Sequence, residues 1–298
     1  MRLGDGNDSD FIDRTGQSGG SPLLGGGGGL IGLFLPLILS RFGIVGILIL
    51  ALGYCALSSL GGGGGILTGG GGAPTQQGQA GQSRLSPEMA RFLPAVLSST
   101  DQVWTDLFRQ SGATYREPKL IAYTGGTQTA CGMGQAAMGP FYCPGDSNIY
   151  IDPTFFNELT QRFGAPGDFA AAYVIAHEVG HHIQNLEGTL DRASAAQARL
   201  GRAEGNQVQV GVELQADCYA GVWAARARAP DGTPALEPGD VEEGMRAAEA
   251  IGDDTLQRQT QGRVVPESFT HGTSAQRMEA LRRGLTTGDP SACNYNRV

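Results

Sequence analysis

The sequence is poor in lysine and in histidine. Lys119 is the sole lysine among 21 Lys and Arg residues, a skew that reads as coding bias. With a net charge of −8 and no basic cluster anywhere, nucleic acid is excluded as a partner. Internal repeats are lacking, which excludes a solenoid or propeller. None of the five cysteines pairs with another at metal-ligand spacing, so a cysteine-based zinc module is excluded as well. Between Arg41 and Arg84 there is no Lys or Arg at all. Of the four histidines, three fall within six residues: His177, His181 and His182.

Glycine is present in excess, at 48 residues, much of it in runs at 25–29, 61–65 and 69–72. Such runs are spacers that cannot bury a core. Residues 1–29, polar, acidic and glycine-rich, are expected to form a disordered tail. Residues 30–60 are apolar, and their core at 42–60 holds 19 uncharged residues, about one bilayer crossing. The run is too long, and too far from the start, for an ordinary signal peptide. Arg41 precedes the core, and the next positive charge is Arg84. The positive-inside rule therefore predicts a single transmembrane helix with the tail in the cytoplasm and the remainder outside. Residues 61–83 read as a linker and 84–298 as the folded domain.

Within that domain, Ser86-Pro87-Glu88 predicts a helix start, with a recap at Thr100-Asp101. Residues 119–123 and 148–152 predict strands; the second, which alternates, serves equally as an edge for a peptide substrate or as a packing strand. Helices are expected from Pro153 to Phe163, across 168–184, over 206–228, over 240–257 and over 274–284. The class is α+β: mostly helical, with a small sheet.

The chemistry concentrates in His177-Glu178-Val179-Gly180-His181. Four residues on a helix return to nearly the same face, about 6 Å further along. Two imidazoles then stand side by side, as a zinc ion requires, with Glu178 beside the metal, near a water in its open position. His182 is rotated off that face. A third ligand is needed. Glu187 sits where a third histidine falls in HExxHxxGxxH enzymes, but Gln184 replaces the glycine that turns the chain there. Glu213 is the better candidate. It lies in an otherwise apolar helix, with Asp217 one turn on, suited to orienting a ligand histidine. Of the cysteines outside the apolar run, Cys131 with Cys143 and Cys218 with Cys293 are the favoured pairs of three possible arrangements. Free buried thiols are the expectation for a domain in the cytosol.

HExxH with a downstream Glu213-x-x-Ala216-Asp217 resembles the gluzincin metallopeptidases. Ile251-Gly-Asp-Asp-Thr-Leu-Gln-Arg258, Ser268-Phe-Thr-His-Gly-Thr-Ser-Ala-Gln-Arg277 and Gly139-Pro-Phe-Tyr-Cys-Pro144 resemble the bacterial neutral zinc metallopeptidase family. The likeness covers nearly the whole chain. It implies a zincin-like peptidase domain anchored in the bacterial cytoplasmic membrane, with Zn2+ and a peptide or protein substrate. Thr270-His271-Gly272, with Arg277, is similar to the Thr-His-Pro-x-x-x-x-Arg segment of membrane-associated gluzincins, glycine replacing proline. Carried over, His271 binds the developing oxyanion and Arg277 orients the active-site carboxylates. Otherwise His271 caps the helix beginning near Ser274. The alternative to an enzyme is a zinc-stabilised, membrane-tethered binding module.

Overall fold

Phe11–Asp13 form a strand, β1, in a computed structural model that describes residues 1–7, 9–17 and 82–295. This corrects the expected disorder of residues 1–29 over their described part. The apolar run 30–60, and all of the linker except residues 82 and 83, lie outside the described residues. Among the described residues, no helix is long and apolar enough to cross a membrane.

Helix α1 spans Pro87–Gln110, with Ser86 as its cap and its side chain accepting from the Met89 amide. The expected recap at Thr100-Asp101 does not occur. Both polar side chains find partners without ending the helix: the Thr100 hydroxyl donates to the Leu97 carbonyl, and Asp101 accepts from the hydroxyl of Tyr115, beyond the helix. Strand β2 covers Lys119–Ala122. An antiparallel hairpin follows, β3 (Gly126–Thr129) with β4 (Gly132–Gln135). Next come β5 (Phe141–Cys143), β6 (Asn148–Ile151) and α2 (Thr154–Gln161).

The main sheet has the order β1-β2-β6-β5. β1, β2 and β6 are parallel, and β5 is antiparallel to its neighbour. β6 therefore lies inside the sheet, paired on both edges, and the outer strands are β1 and β5. The idea of β6 as a substrate edge is thereby overturned. Period-two alternation sorts the side chains between the two faces. Leu120, Ala122, Ile149 and Ile151 join the main core, whereas Ile121, Tyr123, Tyr150 and Cys143 form a second cluster on the other side. The Cys131–Cys143 disulfide ties the hairpin region to that second face.

The helical layer begins with α3 (Asp168–Leu186), then α4 (Thr189–Gln197) and α5 (Arg202–Arg226). Every residue of α5 from Val212 to Ala224 is buried, because α3 packs on one side of it and a later helix on the other. The expected helix over 240–257 is two, α6 (Asp240–Ala250) and α7 (Asp253–Gln261), parted at Ile251-Gly252. Gly252 lies against Ser274, with space for no side chain. The last helix, α8 (Ser274–Thr287), is capped by Thr273 in a reciprocal arrangement with Gln276, and Cys218–Cys293 ties the C-terminal region to α5. Both favoured cysteine pairings are present.

Candidate metal centre

Helices α3 and α5 meet where neither carries bulk. A side-chain carbon on Gly180 would stand 2.9 Å from the Ala216 Cα, so glycine is what lets the backbones approach. That approach carries Glu213 to the histidines. Its Oε2 lies 3.2 Å from His177 Nε2 and 3.6 Å from His181 Nε2, and the ligand atoms of all three residues fall within 4.8 Å of one another. Two ligand atoms about 2.0–2.1 Å from a tetrahedral ion stand about 3.3–3.4 Å apart, so the spacing fits zinc. The donor set, two imidazoles and one carboxylate, fits a catalytic rather than a closed structural site.

Each member is held by a second group. His177 Nδ1 is 2.8 Å from Asp217 Oδ1, and His181 Nδ1 is 2.9 Å from Gln184 Oε1. With Nδ1 engaged by an acceptor, the lone pair of each neutral ring sits on Nε2, facing the shared point. Gln209 donates to the other Glu213 oxygen at 2.9 Å. Asp217 in turn accepts from Arg277 (2.8 and 2.9 Å) and from the Tyr173 hydroxyl at 2.6 Å. Gln184 donates to the Val212 carbonyl and to Gln215.

The electrostatics favour positive charge at this point. Burial would lower the His177 pKa, but Asp217 and Glu213 outweigh it and raise the value to about 10. Burial opposes charge on His181 too, yet Glu213, with Glu178 contributing, raises its pKa. Burial would raise the Asp217 pKa, but Arg277 and His177 bring it down to about 2. Glu213, despite burial, is held well below the usual carboxylate range by His181 and His271. A divalent cation answers the same demand that protons meet here.

The other predicted residues are partly gathered. Glu178 is buried on α3 beside the pair. His271 does not cap α8, since Thr273 does. Its loop is clamped by Asp253, whose Oδ2 accepts from the Thr270, His271 and Gly272 amides at 2.7, 2.6 and 3.1 Å. Asp253 Oδ1 faces His271 Nδ1 at 3.3 Å. Against desolvation, the charges of Glu213 and Asp253 raise the His271 pKa. Glu187 is not in the cluster; it follows the end of α3 and accepts from the Tyr219 hydroxyl at 2.9 Å. His182 is also elsewhere, 2.6 Å from the Arg116 carbonyl and 3.1 Å from the Tyr142 hydroxyl.

Tyr173, Gln184, Gln209 and Asp253 were not anticipated. Three of them had a usable signal. Tyr173 precedes His177 by four residues, Gln184 follows His181 by three, and Gln209 precedes Glu213 by four, so each shares a helix face with one of the three convergent residues. Asp253 had none, because its partners are 17 to 19 residues away in a loop.

No solved structure matches the chain. A family described as putative neutral zinc metallopeptidase matches residues 1–295. The chain is 43% identical over 302 residues to the uncharacterized protein YpfJ of Escherichia coli strain K12, covering 99% of this chain and 98% of that protein. It is 42% identical over 226 residues to the uncharacterized protein Rv2575 of Mycobacterium tuberculosis strain H37Rv, covering 72% and 74%. Matched across almost its entire length, and with the HExxH pair and Glu213 converging, the chain belongs to the neutral zinc metallopeptidase family.

Proposed function

We propose that the protein is a zinc-dependent peptidase that hydrolyses peptide bonds in a peptide or protein substrate. The observation that carries this reading is the convergence of His177 Nε2, His181 Nε2 and Glu213 Oε2 on one point. Zinc, when bound, supplies a Lewis acid and lowers the pKa of the attacking water. Glu178 takes the proton of that water and returns it to the leaving amine. His271, held by Asp253, donates to the oxygen on which negative charge develops. Asp217, fixed by Arg277 and Tyr173, keeps His177 turned toward the ligand point. An extended substrate finds a free strand edge at β5, which lies alongside α3 through the Tyr142–His182 contact.

The apolar run 30–60 anchors this domain to the bacterial cytoplasmic membrane. The two disulfides support an oxidising, extracytoplasmic setting for it.

The test is Glu178→Gln in the full chain, with zinc content and hydrolysis of a broad peptide mixture measured together. Retained zinc with hydrolysis reduced by about 10²- to 10⁴-fold is the expected result. Equal rates in variant and parent, or no hydrolysis by the zinc-loaded parent, would instead assign the chain to the zinc-stabilised binding modules.

A further inference from the structure

We propose that Gln215 and the Cys293 carbonyl, held in place by the Cys218–Cys293 disulfide, are positioning groups for His181. They fix which end of the Gln184 amide meets that histidine, so that zinc affinity depends on the disulfide. Resting on the reading of His177, His181 and Glu213 as zinc ligands, this role is independent of peptidase activity.

The two histidines are backed by different chemistry. Behind His177 stands Asp217, 2.8 Å from Nδ1. A carboxylate accepts through both oxygens, so however it turns it meets Nδ1 with an acceptor. Behind His181 stands an amide, Gln184, with Oε1 2.9 Å from Nδ1. An amide has an acceptor end and a donor end. Turned over, Gln184 would present its NH2 group to Nδ1. The neutral ring would then carry its proton on Nε2, the atom that has to face the metal. His181 is therefore a ligand only while Gln184 keeps one orientation.

That orientation is set from outside. Gln184 Nε2 donates to the Val212 carbonyl at 2.7 Å and to Gln215 Oε1 at 3.0 Å. A backbone carbonyl can only accept, so it draws the NH2 end away from His181. The Gln215 amide is itself two-ended, and its Nε2 donates to the Cys293 carbonyl at 3.1 Å. With its donor end drawn there, Gln215 leaves Oε1 facing Gln184. Gln184, Gln215, Cys218 and Cys293 are all buried, where a mispaired amide is costly.

The Cys293 carbonyl is the outer end of this relay and lies 78 residues from Gln215 along the chain. It follows the short helical turn Pro290–Ala292 and belongs to no helix or strand. What ties it to α5 covalently is the bridge to Cys218, which is three residues after Gln215 and on the same helix face. Without that bridge the carbonyl is released and Gln215 is able to turn its NH2 group onto that of Gln184. The oxidised chain is thus the high-affinity form for zinc, and a chain kept reduced holds the ion less tightly.

The experiment measures zinc affinity of the full chain by chelator competition, with the melting temperature of each metal-free form alongside. Gln184→Leu sets the scale, at about 10- to 100-fold weaker binding than the parent. Gln215→Leu, which keeps the disulfide, should weaken binding by about 10-fold, as should Cys218→Ala combined with Cys293→Ala. All three substitutions together should be no weaker than either change alone, because they break one relay. Cys131→Ala with Cys143→Ala should leave zinc affinity at the parent value, and an equal loss there overturns the assignment to this bridge. Parent affinity in Gln215→Leu overturns the proposal even where the chain lacking the bridge fails to fold. So do additive losses in the triple variant, or lowered melting temperatures at unchanged affinity. A parent chain that takes up no zinc overturns the ligand set as well, whereas every other outcome leaves that set standing.

Discussion

Helix α5 has two differently built flanks. Toward α3 it presents Glu213 and Asp217, buried carboxylates that meet two imidazoles and a guanidinium. Toward α8 it presents Gly221, and there the backbones themselves touch. A side-chain carbon on Gly284 would stand 2.7 Å from the Val222 amide nitrogen, and one on Gly221 would stand 2.7 Å from the Leu285 nitrogen. One flank spends burial on charge and the other on contact. The first defines what the helix can bind, and the second defines where it stands. Arg277 belongs to both, since it is carried by α8 and ends on Asp217.

Substitutions can separate the two flanks. Arg277→Met should disturb both, because it leaves Asp217 buried without its cation. A loss of about 3–5 kcal/mol is expected from denaturant unfolding, together with weaker zinc binding. Gly284→Ala should cost about 3 kcal/mol by the same measurement, while the folded fraction keeps the zinc affinity of the parent. A fall in affinity there would show that the flanks are not separable. Glu213→Ala should act in the opposite sense. Zinc affinity, read by chelator competition, should drop by more than about 100-fold, since even groups that merely support a ligand account for 10- to 100-fold. Stoichiometric zinc in that variant would remove Glu213 from the ligand set.

The smallest expected effect extends the comparison to neighbouring histidines on α3. Carboxylates pull His177 up, whereas burial takes His182 down to about 4, the backbone carbonyl of Arg116 opposing only in part. His182 is therefore neutral in the fold at pH values where the unfolded chain already binds a proton. Its contribution to stability is complete above pH 6.5 and is lost as the pH falls toward 4. At pH 5.5 the loss amounts to about 1 kcal/mol. His182→Gln should flatten the decline of the melting temperature across that window, and an unchanged slope would place the acid sensitivity elsewhere.

The candidate metal centre was legible in the sequence to an unusual degree, and the sheet only in part: the inner strands β2 and β6 were expected and the outer strands β1 and β5 were not. His177 with His181, and Glu213 with Asp217, are pairs at helical spacing, so a local periodicity announces which side chains share a face. The apolar setting of Glu213 marked it as buried before any partner was known. β1 carries no such mark. It is three residues long, follows a polar acidic stretch, and finds its partner strand more than 100 residues later. The helix over 240–257 was read as continuous because its polar pattern runs through Gly252, where contact with Ser274 ends one helix and starts another. Likewise, alternation in β6 showed a strand but not whether its edges were free.

By itself the sequence determined which residues face together along each helix, because that follows from a repeat of about 3.6 residues and needs no distant partner. It also determined the chemistry those faces could support. Tertiary structure alone decided that Glu213 meets the histidines, that Asp253 clamps the His271 loop, and that the amino-terminal strand completes the sheet. Those outcomes depend on close approach between segments far apart in the chain, and pairing of that kind leaves no periodic trace in either segment.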